Sequence, residues 1–123
     1  MSRSRASARQ AGSRFERVVA DYLRDALDDD RIDRRVKNGN KDRGDIGGLR
    51  HMGARVVIEC KNVTRLNLSA WIAEAQVEAG NDDASAGLVV HKRHGKGDPG
   101  DQYVTLTLRD LVALLTGERK DEP

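Results

Sequence analysis

Asp45 and the triplet Glu59-Cys60-Lys61 are the residues whose types and spacing offer chemistry. The triplet closes an apolar run, Val56-Val57-Ile58, that reads as a strand over 54–61, and a second strand is expected at 43–50. Side chains alternate along a strand, so Val57, Glu59 and Lys61 share one face while Val56, Ile58 and Cys60 point to the other, the core side. His51-Met52-Gly53 reads as a three-residue hairpin loop, with Gly53 suited to the left-handed position such loops need. Arg50 then pairs with Ala54, and the same register carried onward sets Asp45 across from Glu59, with Lys61 beside both. Directly opposed carboxylates destabilise a hairpin unless something positive lies between them. A hard divalent cation with oxygen ligands, Mg²⁺, answers that need, and Mn²⁺ is the alternative occupant. Glu-x-Lys on an exposed strand face is also common as a solvated pair. The opposed aspartate, the apolar run and the basic flanks weigh against that reading here.

Those strands need elements to hold them. Ser13-Arg14-Phe15-Glu16 has the form of a capping box. Phe15, Val18, Val19, Tyr22, Leu23, Ala26 and Leu27 follow at helical spacing, in a stripe that ends near Asp28-Asp29-Asp30. Residues 1–12 lack such a pattern and read as a flexible basic arm. An extended segment is expected over 31–36, with a turn at Asn38-Gly39-Asn40. Asn67 or Ser69 caps a second helix, which runs to about Ala79 and stops at Gly80-Asn81-Asp82. A buried strand follows at 86–92, then a loop at 94–101, a strand at 103–108 and a helix marked by Leu108, Leu111, Val112, Leu114 and Leu115. The order is α-β-β-β-α-β-β-α, one α/β domain over 13–117 with a mixed central sheet flanked by helices and a tail at 118–123.

A chain of 123 residues builds one core, and with 34% charged residues and no long apolar run no membrane span is expected. No apolar stretch follows Arg3 and Arg5, so no secretory signal is expected. The single cysteine fits a reducing compartment, and a cytoplasmic location is the expectation. Net charge is only +2, yet Arg3, Arg5, Arg9 and Arg14 stand without an acid among residues 1–14, and residues 31–50 hold seven basic side chains against three acidic ones. Lys92, Arg93 and Lys96 form a third basic group. Such clusters suit phosphate, although solvated loops show them too. Arg34, Arg35, Lys37, Lys41 and Arg43, just before the first acid, are the best candidates for phosphate contacts, joined by Lys92 and Arg93. Phe15, Tyr22, Trp71 and Tyr103 are too few for a base-stacking platform, which favours duplex or branched DNA held by its backbone. His51, His91 and His94 lack the spacing of a metal site. His51 reads as hairpin loop, the other two as lying near a DNA-facing loop. Trp71 and Ile72 read as core or interface.

The pattern resembles the PD-(D/E)XK nuclease superfamily, and within it the Holliday junction resolvases of archaeal and phage type. Gly44-Asp45-Ile46 is similar to the first acid motif and Glu59-Cys60-Lys61 to the E-x-K motif. Glu16 resembles the acid on the first helix, and Gln76 the glutamine on the helix after E-x-K. The resemblance spans roughly Gly12 to Leu115. Gly44 stands where the superfamily's name has proline, a departure expected to affect only a turn. The resemblance implies a restriction-endonuclease-like fold. It also implies Mg²⁺ held by Asp45, Glu59 and the backbone carbonyl of Cys60, with Glu16 joining through a bound water or a second metal unless its capping role is all it does. Lys61 would orient the attacking water or neutralise charge on the phosphate, and hydrolysis would leave a 5′-phosphate.

The function expected is a Mg²⁺-dependent, structure-selective DNA endonuclease. Its leading form is a homodimeric Holliday junction resolvase, because two symmetric nicks need two sites about a twofold axis. A phage or mobile-element setting, and with it a host cytoplasm, follows from the resemblance. A general nicking or restriction-like nuclease, a nuclease subunit of a larger assembly, and a non-catalytic DNA-binding module are the alternatives.

Overall fold

The computed structural model describes residues 4–36 and 41–119. Helix α1 spans Arg5–Leu27 and starts at Ser4, whose Oγ accepts the Ser7 amide at 3.1 Å. Within the segment expected to be a flexible arm, residues 5–12 are therefore the first turns of the helix, since Ala, Arg and Gln are strong helix formers and Ala11 is buried. Ser13 lies mid-helix and its capping box is not used. The helix ends where its apolar pattern does, with Asp28 in the left-handed conformation. Its buried face is Ala11, Phe15, Val19 and Ala20, narrower than the stripe in the sequence. Val18, Tyr22 and Leu27 are exposed.

The strands are β1 (Asp33–Arg34), β2 (Ile46–Gly47), β3 (Arg50–His51), β4 (Ala54–Lys61), β5 (Ala86–His91) and β6 (Tyr103–Thr105). Helix α2 covers Leu68–Asn81, capped by Asn67, and α3 covers Leu108–Thr116. The sheet runs β1-β2-β4-β5-β6, with β3 also paired to β4. Among the described residues only β4 and β5 pair in parallel, and α2 makes the crossover that such a pair requires. The molecule is thus a small α/β domain with a mixed open sheet and three helices. Among the described residues no helix is long and apolar enough to cross a membrane.

The strand expected over 43–50 is two short ones. His51 pairs with Ala54, so the hairpin loop has two residues, Met52 and Gly53, both at positive φ as such tight turns demand. His51 is strand, not loop. Arg50 opposes Arg55 but Ile46 opposes Ile58, so three residues on one strand face two on the other and the chain bulges at Gly47-Gly48-Leu49. The bulge offsets the shorter loop. Ile46–Ile58 belongs to the register expected from the longer loop, and Asp45 reaches β4 beside Glu59 even though the turn differs.

The alternation along β4 holds. Val56, Ile58 and Cys60 join Phe15, Val19, Ile32, Ile46, Leu88 and Val90 in the core under α1. Val57 packs with Ala79 and Ala84, and Val89 with Trp71 and Ala75, under α2. β5 is buried throughout because helices and strands cover it on all sides. Helix α3 buries Asp110 and Ala113, while Leu108, Val112 and Leu115 are exposed. Asp110 Oδ2 accepts the Gly87 amide at 2.8 Å, beyond the point where β6 stops pairing, and Asp110 Oδ1 accepts from Arg119. The segment expected as tail therefore packs back at Arg119.

Candidate metal centre

Glu59 comes from β4, buried on the α2 face. Helix α2 lays Trp71, Ala75, Glu78 and Ala79 against that face, and Glu78 is only 2% exposed. Asp42 is brought over by the turn ahead of β2: its Oδ1 accepts the Gly44 amide at 2.9 Å, and its carbonyl accepts Asn81 Nδ2 at 2.7 Å. Carboxylate oxygens of Asp42, Glu59 and Glu78 lie within 4.8 Å of one another. Oxygens sharing one hard cation at about 2.1 Å sit roughly 3 to 4 Å apart, so the group needs only a small contraction to hold one. This buried acidic cluster could hold a metal ion.

Asp45 is buried at the edge of the cluster. Its amide donates to the Ile58 carbonyl at 2.9 Å and its Oδ2 accepts the Cys60 amide at 2.8 Å, which fixes the carboxyl over β4. Glu59 shares hydrogen bonds with both Asp45 and Glu78. Burial above all, then Glu78, pushes Glu59 up to about 8, with Asp45 and Lys61 acting the other way. Burial likewise pushes Glu78 up to about 7, opposed by its hydrogen bond with Glu59 and aided by the charges of Asp42, Asp45 and Glu74. Neither Glu78 oxygen receives a hydrogen bond from a nitrogen or hydroxyl among the described residues. Buried carboxylates facing one another without donors must share a proton or a cation.

Lys61 continues the same face. Its Nζ donates to Glu74 Oε2 at 2.8 Å. Burial alone would lower the ammonium's pKa, but the Glu74 hydrogen bond and the charges of Glu59, Glu74 and Asp45 outweigh it and raise it. Lys61 thus stands as a cation beside the cluster.

The structure brings Asp45, Glu59 and Lys61 together as the sequence suggested and adds Asp42 and Glu78. Glu78 was legible in one respect: it interrupts the apolar stripe Trp71, Ala75, Ala79 with an acid. Gln76 lies elsewhere. Its Nε2 donates to Asp110 at 2.6 Å and its Oε1 accepts from Arg119 at 2.9 Å, because position 76 is turned away from the 71/75/78 face. Glu16 accepts from Arg34 Nε and Nη2 at 3.2 and 3.1 Å and stands outside the Asp42–Glu59–Glu78 group. Cys60 enters the site through its amide, not its thiol, which faces the α1 core.

Of the expected phosphate contacts, Arg34 is held by Glu16 and Arg35 by Asp82, whose two oxygens accept from its Nη1 and Nη2. Lys92 Nζ donates to the Arg93 and Lys96 carbonyls and braces its own loop. Arg93 lies 4.3 Å over the Tyr103 ring. Lys41 and Arg43 are exposed, and Lys37 lies outside the described residues, as does the turn at 38–40. His91 directly precedes the Lys92–Arg93 loop and lines a recess with both residues. It is buried at the end of β5, bonded to Thr105 Oγ1 at 2.8 Å and beside Trp71.

Gly44 proves more than a turn detail. Its φ is +97°, which proline cannot adopt, and a Cβ there would meet Val57 Cγ1 at 2.7 Å. No family model, curated protein or solved structure matches the chain.

Proposed function

We propose that this chain is a Mg²⁺-dependent DNA endonuclease of the PD-(D/E)XK type. One observation carries the reading: Glu78, with both oxygens buried and no nitrogen or hydroxyl donor among the described residues, set against Glu59 beside a fixed lysine. A solvated Glu-x-Lys pair would not be roofed by a second buried acid.

Asp42, Glu59 and Glu78 are the ligands this geometry favours, with Asp45 and the Cys60 carbonyl completing the set and Glu16 a more distant candidate. Mg²⁺ there supplies Lewis-acid polarisation of a phosphate and a bound water of lowered pKa, and Mn²⁺ would serve the same ligands. Asp45, pinned by the Cys60 amide, holds its carboxyl at a set height over β4. Lys61, kept protonated by Glu74, donates toward the water or the charged phosphate oxygens. Burial of Glu59 and Glu78 keeps bulk water from competing for the ligand positions.

The substrate we assign first is a four-way DNA junction, cut by a homodimer with its two sites about a twofold axis. The test is cleavage of a labelled junction beside matched linear duplex and single strand, with Mg²⁺ or EDTA, using wild type and Asp45→Asn. Paired, metal-dependent nicks that vanish in the variant support the resolvase. Equal cutting of linear duplex makes the protein a general nuclease, and junction binding without cutting under any metal overturns catalysis.

A further inference from the structure

Next to the carboxylates the chain builds a recess of opposite sign. Arg35, Arg43, Arg50 and Arg55 line a cavity of about 220 Å³ together with Gly48 and Asp82. Four arginines and one aspartate share this lining, and the aspartate is already engaged, since Arg35 takes both Asp82 oxygens at 3.2 and 3.3 Å. Arg55 Nη1 donates to the Asp82 carbonyl at 3.0 Å, so two of the four arginines form a fixed wall. Arg35 lies flat over Gly47, where a Cβ would come within 3.0 Å of its Nη2. The bulge shapes the floor: Gly48 has φ +85°, and a Cβ there would fall 1.9 Å from the Arg31 carbonyl oxygen. Arg43 and Arg50 are exposed and make no ion pair with any described residue.

A cavity of this size is below the roughly 300 Å³ at which pockets for drug-sized ligands begin, and it fits a single compact anion. Guanidinium groups present several N–H donors in a planar fork that matches phosphate oxygens. The recess adjoins the acidic cluster through the backbone, because Arg43 lies between Asp42 and Asp45 and the Arg35 amide donates to the Asp45 carbonyl at 2.8 Å.

We propose that this recess binds one phosphate group of a DNA strand, an anchor separate from the carboxylates. The anion site stands on charge and shape alone; its assignment to DNA rests on the nuclease reading. Two sources share the chemistry, an internal phosphodiester and a terminal 5′-phosphate.

The first measurement is thermal unfolding in EDTA with inorganic phosphate, against chloride at matched ionic strength, for wild type, Arg43→Ala and Arg50→Ala. Both arginines are exposed and leave the Asp82 contacts intact, and each variant's melting in chloride reports its folding. Phosphate is expected to raise the wild-type midpoint beyond chloride, with apparent affinity about tenfold weaker in each variant. A shift no larger than that of chloride, or one unchanged in both variants, overturns the site. The second measurement is anisotropy of labelled duplex with and without a 5′-phosphate, again without divalent metal. Loss of a preference for phosphorylated ends in the variants assigns the terminal group. Equal weakening on both duplexes, with a salt slope lower by about one, assigns the phosphodiester. Unchanged DNA binding in both variants overturns the assignment to DNA. Because no cleavage is read, failure here is distinct from failure of catalysis, which Asp45→Asn tests.

Discussion

Glu59 and Glu78 set the electrostatic character of the centre. Both have their pKa raised, to about 8 and about 7, so without metal the folded chain binds protons that the unfolded chain has released. Stability from these groups is therefore fully present below the unfolded carboxylate range and is lost as pH rises through about 7 to 8. Urea midpoints in EDTA are expected to fall between about pH 5 and pH 8, and Mg²⁺ to flatten that fall by replacing the shared proton; a pH-independent midpoint in EDTA would contradict the buried pair. Glu78→Gln follows from the same balance. The variant should melt at the same temperature or a few degrees higher in EDTA at pH 8, while Mg²⁺ no longer raises its midpoint and nicking drops by about a hundredfold or more. Asp45, Glu59 and Lys61 were legible because strand alternation and one hairpin suffice to bring them together. Asp42 was not, and Glu78 only as an acid interrupting an apolar stripe, because their arrival at the site depends on how a turn and a helix pack on that hairpin. Gln76 shows the same limit: one helix carries two polar residues two positions apart, and only packing decides which faces the sheet.

At the scale of elements, the close approach of α2 to β5 makes the centre possible. Gly87 permits it: a Cβ at that position would lie 2.5 Å from the Ala75 carbonyl oxygen and 3.2 Å from Ala79 Cβ. Gly87→Ala should push α2 outward, costing about 2 to 3 kcal/mol in chemical denaturation. It should also weaken Mg²⁺ binding, because Glu78 rides on the displaced helix. Unaltered stability in this variant would mean that the contact relaxes freely. The major elements were readable from periodicity, and β4 and α2 came out nearly as expected. The start of α1 did not, because a capping box at Ser13 is a local signal and the chain already had a helix to extend. The hairpin loop is one residue shorter than its sequence suggests, yet the glycine-rich bulge restores the register. Gly47 and Gly48 could have signalled a bulge rather than a continuous strand.

Over the whole molecule, opposite charges lie side by side: a sunken acidic cluster, and beside it a recess of arginines. The near-neutral total of +2 conceals this separation. Binding to duplex through the basic side should be strongly salt-dependent, with affinity falling about a hundredfold between roughly 50 and 200 mM monovalent salt for about four phosphate contacts. A flat salt dependence, measured by anisotropy in EDTA, would mean that DNA does not meet this surface.

Cys60 gives the fold a built-in clock. The thiol is the chain's one sulfhydryl, buried under α1 and held far above its ordinary pKa, chiefly by burial and then by the charges of Asp45, Glu16 and Glu59. It cannot react with a disulfide reagent until β4 parts from α1, so the rate of modification under native conditions counts openings of the central sheet. The opposite face of that strand carries Glu59. Saturating Mg²⁺ should therefore slow thiol labelling without touching the sulfur, by the factor 1 + [Mg²⁺]/Kd, turning a chemical stopwatch on one side of the sheet into a gauge of occupancy on the other.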